Sequence, residues 1–96
     1  MNSGLAGKHV VVINGRDNVG VAMDKLCNKD VLDIVVGDSK YSIVAKGPTP
    51  RFHKVAVTNI AKGEKVLKYG ETIGIALRDI LSGEHVHTHN IRGLRG

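Results

Sequence analysis

Three stretches of the chain nearly repeat one another: VAMDKLCNKD from Val21, VAVTNIAKGEKV from Val55 and IALRDILSGEHV from Ile75. Each opens with a β-branched residue, an alanine and a further apolar residue. A polar pair follows, then an apolar pair: Leu26–Cys27, Ile60–Ala61 and Ile80–Leu81. The second and third stretches also share Gly-Glu-X-Val, at Gly63 to Val66 and Gly83 to Val86. The first and third share an upstream flank, DNVG at 17–20 and ETIG at 71–74. A solenoid stacks units at a fixed period, whereas these begin 34 and 20 residues apart. The repetition therefore constrains the chain to one internally pseudo-symmetric domain over 1–96. A chain of 96 residues suits a single modest core.

Within each unit the apolar residues fall at i, i+1, i+2, i+5 and i+6, a spacing that predicts a short helical turn with one buried face. Asp17 or Asn18 would cap the first turn and Glu71 or Thr72 the third, with Gly63 and Gly83 as left-handed stops. KHVVVING, DVLDIVVG and KYSIVAKG are rich in β-branched residues and end on glycine, so they read as strands. EKVLKYG and EHVHTHNI alternate and read the same way. KGPTPRFH, with both prolines, reads as an exposed loop. The expected fold class is mainly β with short helical turns: five or six short strands and two or three turns in a compact, irregular domain.

Aromatic residues are scarce, with Tyr41, Phe52, Tyr69 and no tryptophan, so the core must be aliphatic. Cys27 is the single cysteine, which excludes an intrachain disulfide and a cysteine-zinc cluster and fits a reducing compartment. Its apolar register predicts a packed thiol. No apolar run approaches the roughly 20 residues of a membrane span, and the first residues lack the pattern of a signal peptide. No membrane is expected, and the expected location is cytoplasmic. The net charge of +5 is scattered, and no aromatic residues alternate with basic ones. That pattern argues against nucleic acid and for a solvated surface or attraction to small anions.

The run GEHVHTHN at 83–90 holds three of the five histidines on alternate positions. On an extended strand His85, His87 and His89 share one face, with roughly 7 Å between neighbouring Cα atoms and about 13 Å between the outer two. Two imidazoles at i and i+2 reach one metal ion; all three do so only if the strand bends. Such a pair is a known way to present neutral imidazoles to zinc, iron or a similar ion. A plain solvated strand is the alternative. Asn90 points to the opposite face unless the strand ends there. His53 would add to the site from its loop, and His9 carries no functional assignment. Lys68, beside Tyr69 and a glycine turn, is either a snorkelling surface lysine or a partner for a carboxylate.

The residues from DNVGVA to Ile91 resemble the N-terminal domain of the altronate and galactarate dehydratase family. The resemblance rests on His53-Lys54, Gly63, Lys68-Tyr69-Gly70, Ile73-Gly74, Ala76, Gly83 and Val86-His87-X-His89-Asn90. It implies an SAF-type β-clip fold and a dependence on a divalent metal, commonly iron(II). It also implies a large catalytic subunit as partner, a sugar-acid substrate, and leaves room for a homo-oligomer. It marks His87, His89 and Asn90 as catalytic residues, with His87 and His89 as metal ligands. Lys68, His53 and Tyr69 become substrate-binding residues, whereas His85 falls at a variable position and is expected to be incidental. The chain looks like a separately encoded small subunit, inactive alone. The relatives that eliminate sulfite from sulfolactate offer one alternative reading, and a non-enzymatic carbohydrate- or anion-binding module the other.

Overall fold

The computed structural model describes residues 7–94. They form nine short strands: β1 (Lys8–Val11), β2 (Val19–Ala22), β3 (Val31–Val36), β4 (Ser39–Val44), β5 (Lys54–Ala56), β6 (Lys65–Lys68), β7 (Glu71–Ala76), β8 (His85–Val86) and β9 (Ile91–Gly93). A six-stranded sheet runs β4-β3-β1-β2-β5-β8, and a three-stranded sheet runs β6-β7-β9. Only β1 and β3 pair in parallel; the other neighbours are antiparallel. The mainly β expectation holds. The core is aliphatic and lies in two clusters, one around Leu26, Leu32, Ile34 and Val55, the other around Val19, Ile60, Val66, Ile80 and Val86.

The expected helical turns are absent among the described residues, although the repeat that suggested them is real. Each unit is the end of a strand, a bend, one bridging residue and a four-residue turn. A single helical turn needs several dihedrals fixed for one hydrogen bond, whereas here the backbone finds partners in another unit. Ile60 and Ile80 exchange both N–H···O bonds at 2.8 Å. The corresponding Leu26 exchanges them with Thr49, at 2.9 and 3.0 Å. Because neighbouring residues of extended backbone point to opposite sides, only the first of each apolar pair is buried. Leu26, Ile60 and Ile80 lie at 0–1% exposure, while Ala61 and Leu81 face outward, and Cys27 is exposed rather than packed.

Thr49 reveals a fourth unit. Residues 44–53, VAKGPTPRFH, follow the same course as 21–30, 55–64 and 75–84, so the expected exposed loop is a structural element with Thr49 fully buried. The four units interlock as two reciprocal pairs. The 27–30 turn bonds both backbone groups of Ala45, and the 50–53 turn bonds both of Ala22. The 61–64 turn does the same to Ala76, and the 81–84 turn to Ala56. Each alanine is thereby sealed under a turn, at 0–2% exposure.

Three of the turns also carry an internal clamp. Asp30, Glu64 and Glu84 accept hydrogen bonds from the N–H groups of Cys27, Ala61 and Leu81 at 2.6–2.7 Å. The third turn position is left-handed in all four units, at Lys29 (φ 74°), Phe52 (φ 70°), Gly63 (φ 87°) and Gly83 (φ 96°). The two glycines therefore stop turns as expected, but turns of extended chain.

Asp17, Asn18, Glu71 and Thr72 are not helix caps. Glu71 and Thr72 lie in β7. Asn18 acts as an extra rung on β6: its Oδ1 accepts from Leu67 N–H at 2.7 Å and its Nδ2 donates to Lys65 C=O at 2.9 Å. Asp17 is buried and accepts from Tyr69 and Gly70 N–H, both at 2.8 Å. These bonds hold the tight turn between β6 and β7, where Tyr69 and Gly70 both take positive φ.

Candidate functional site

The 50–53 turn departs from its three counterparts at the clamp. Its first residue is Pro50, which has no N–H to donate, and the acid position holds His53. Freed of that duty, the His53 ring lies beside β8, where its Nδ1 is 3.0 Å from His85 Nε2. The strand expected over 84–91 ends at Val86, and residues 87–90 turn before β9 begins. The bend folds the histidines together. His87 stacks on His85 at 5.6 Å between ring centroids, and the His89 ring is 5.2 Å from His85, far closer than a straight strand allows. His53 and His87 centroids are 4.9 Å apart.

Nitrogen atoms of His53, His85 and His87 all lie within 4.8 Å of one another, and among the described residues no other group of metal-ligating side chains converges so closely. His85, expected to be incidental, stands at the centre of the cluster. His89, expected as a ligand with His87, sits at its edge. Asn90 is 1% exposed. Its Oδ1 accepts from His87 N–H at 2.9 Å and its Nδ2 donates to His85 C=O at 2.8 Å, so the amide bridges the two ends of the turn.

Electrostatics favour a neutral His85 ring. Burial and then the neighbouring imidazoles of His89, His53 and His87, with the Lys54 ammonium, push the His85 pKa down to about 4. At neutral pH its ring therefore offers one lone pair. Lys54, half-buried on β5, is lowered by burial and by the charge of Lys68. In the sequence Lys54 has no role of its own, although it stands in the His53-Lys54 pair on which the resemblance rests. Lys54 feels both Lys68 and His85, which links the Lys68–Tyr69 turn to the histidines; no hydrogen bond or ring contact among the described residues joins them directly. Lys68 Nζ lies 4.8 Å over the Tyr69 ring, and Tyr69 is exposed. Beside His85 opens a cleft of about 510 Å³ lined by Lys25, Leu26, Pro48, Thr49, Pro50 and Arg51.

This arrangement can bind a cation through three imidazoles, or an anion through lysines and ring N–H groups. Similarity to known proteins shows the family. The family described as the altronate/galactarate dehydratase SAF domain matches residues 8–94. The chain belongs to that family. This SAF domain is 40% identical over 82 residues to altronate dehydratase of Escherichia coli (strain K12), covering 85% of the chain and 16% of that enzyme. Altronate dehydratase of Bacillus subtilis (strain 168) is 35% identical over 89 residues, 88% of the chain and again 16% of the enzyme. The SAF domain thus spans about a sixth of the length of those relatives. The (2R)-sulfolactate sulfo-lyase subunit alpha of Paracoccus pantotrophus is 41% identical over 66 residues, 68% of the chain and 98% of that subunit. No helix among the described residues is long and apolar enough to cross a membrane.

Proposed function

We propose that this SAF domain is the small component of a lyase that acts on a hydroxy acid, either a sugar acid or a sulfonate. The observation that carries the reading is a cluster of imidazoles with cationic neighbours in a chain similar both to altronate dehydratases and to a sulfo-lyase subunit. Both reactions share one pattern. The carbon next to the carboxylate loses a proton to a base, and the adjacent carbon loses its leaving group with the bond's electron pair. A carbon–carbon double bond forms between them. In a dehydration the leaving hydroxyl takes up a proton and departs as water; in the sulfo-lyase the sulfonate group departs with the C–S bond pair as sulfite.

The difficulty is charge, because removing a proton beside a carboxylate builds a dianion. A divalent metal, commonly iron(II) in the enzymes this family resembles, supplies positive charge at that carboxylate. The donor chemistry fits: imidazole suits iron, zinc and similar first-row ions. The chain's own residues do the rest of its share. His87 and His89, exposed at the turn, hold the metal or position the substrate. Lys68, with Lys54 beside it, pairs with a carboxylate or sulfonate. Tyr69 lines the approach, and Asn90 keeps the turn in shape for a substrate hydroxyl. The base and the rest of the pocket come from a large catalytic partner, so that the chain is inactive alone, and the setting proposed for both is cytoplasmic metabolism.

The test is reconstitution with a large catalytic chain of the dehydratase or sulfo-lyase type, assaying water loss from altronate and galactarate and sulfite release from (2R)-sulfolactate. The expected result is turnover of one substrate class that needs both chains and drops at least about 100-fold with His87→Ala. Full activity of the large subunit alone would overturn the reading. The sulfo-lyase alternative is favoured by the match along nearly the whole of the Paracoccus subunit, and the same assay decides it.

A further inference from the structure

The imidazole cluster differs from the His87–His89 pair that the sequence pointed to, and it lies entirely on this chain. Two nitrogen ligands at about 2.1 Å from one ion stand roughly 3.0 Å apart at right angles and about 3.4 Å apart in a tetrahedron. His53 Nδ1 and His85 Nε2 are already 3.0 Å apart. His87 supplies a third nitrogen within the same 4.8 Å compass. Two facts of the fold produce this meeting. Pro50 removes the N–H that an acid would clamp, which leaves His53 the one clamp position free to face outward. Asn90, buried, ties His85 C=O to His87 N–H and closes the turn a second time through its own N–H to His87 C=O at 3.0 Å. Without that closure residues 85–89 would run straight, and neighbouring rings would separate toward the 7 Å of a strand.

We propose that His53, His85 and His87 form a divalent-cation site that is complete within this chain, and that Asn90 is its positioning residue, shaping the site without touching the ion. The ion is a first-row divalent cation that accepts an all-imidazole set, such as zinc, cobalt, nickel or iron(II). Each ring presents one bare nitrogen and keeps its proton on the other. Further coordination positions stay open to solvent or an acidic ligand. His89 flanks the site and is dispensable for capture of the ion. The inference deepens the lyase reading by fixing which residues hold the metal, but it is tested without turnover.

The experiment uses the full chain alone. Cobalt(II) is titrated and followed by its visible absorption, and zinc(II) by calorimetry. Thermal melts of the metal-free variants accompany both. Expected is one ion per chain, with affinity lost in His53→Ala and His87→Ala and changed less than about threefold in His89→Ala. Asn90→Ala and Asn90→Asp should weaken binding by about 10–100-fold, the range for residues that orient ligands. Asn90→Asp keeps the acceptor for His87 N–H and guards against a misfolded alanine variant. Magnetic contacts between the His53 and His85 rings give a metal-free readout and should vanish when Asn90 is replaced. A wild-type chain that captures no ion overturns the cation site, while the reconstituted assay still decides the lyase reading. Unchanged affinity in folded His53→Ala overturns the ligand set. Unchanged affinity and ring contacts in folded Asn90 variants overturn its positioning role.

Discussion

At the scale of single residues, the four units make an internal mutant series. Thr49 occupies the position of Leu26, Ile60 and Ile80, and its buried Oγ1 has no hydrogen-bond partner. A buried orphan hydroxyl costs roughly 1–3 kcal/mol, so Thr49→Val should raise stability by about 1 kcal/mol. A higher denaturant midpoint at unchanged slope would show it. Lys29 holds the left-handed position that glycine fills at 63 and 83. Lys29→Gly should gain about 0.5–1 kcal/mol, the relief of strain less the extra freedom of the unfolded chain. The two glycines are not equivalent. A Cβ at Gly63 meets open space, whereas one at Gly83 would collide with the Val44 carbonyl oxygen. Gly63→Ala should cost about 1 kcal/mol in strain alone. Gly83→Ala should cost about 3 kcal/mol or more, because backbone must move. Parallel urea melts of the two variants measure the gap.

At the scale of elements, the strands were legible wherever β-branched residues ran together, as in KHVV and VLDIVV. The units were legible as repeats but not as shapes, because their apolar spacing fits a helical turn and a bridged bend alike. What separates the two is the reciprocal bonding between units, which depends on partners distant in sequence. The fourth unit is not legible as a repeat because Pro48, Thr49 and Pro50 erase the apolar signature while leaving the backbone course intact. The histidine strand misled in a related way: alternation predicts a shared face, and the Asn90 bridge that ends the strand has no signal of its own. Asn18 is a further case of a side chain completing an element. Asn18→Ala removes both bonds to β6 and should cost about 2 kcal/mol. Faster amide exchange at Leu67 than at Val66 would locate the loss.

At the scale of the whole molecule, stability should follow the titration of His85. Its folded pKa of about 4 lies below the ordinary 6.5. Between those values the unfolded chain binds more protons than the folded one, so stability rises with pH across that window. The His85 contribution is complete above pH 6.5 and is lost as pH falls toward 4. Solvent access to the ring makes the effect smaller than the full shift implies. Because burial and the neighbouring cations penalise only the charged ring, melting temperatures of wild type and His85→Gln should lie closest near pH 7.5 and separate toward pH 4, with wild type falling further. The doubled pairing of units has a broader consequence. Three of the four turns each spend a carboxylate on holding their own shape, and the fourth keeps its shape under proline and lends its side chain elsewhere. The proposed cation site falls where the architecture has a part to spare. Swapping segment 50–53 for the sequence of 61–64 should therefore return a sound but silent protein, the scaffold as it stands before any site is built into it.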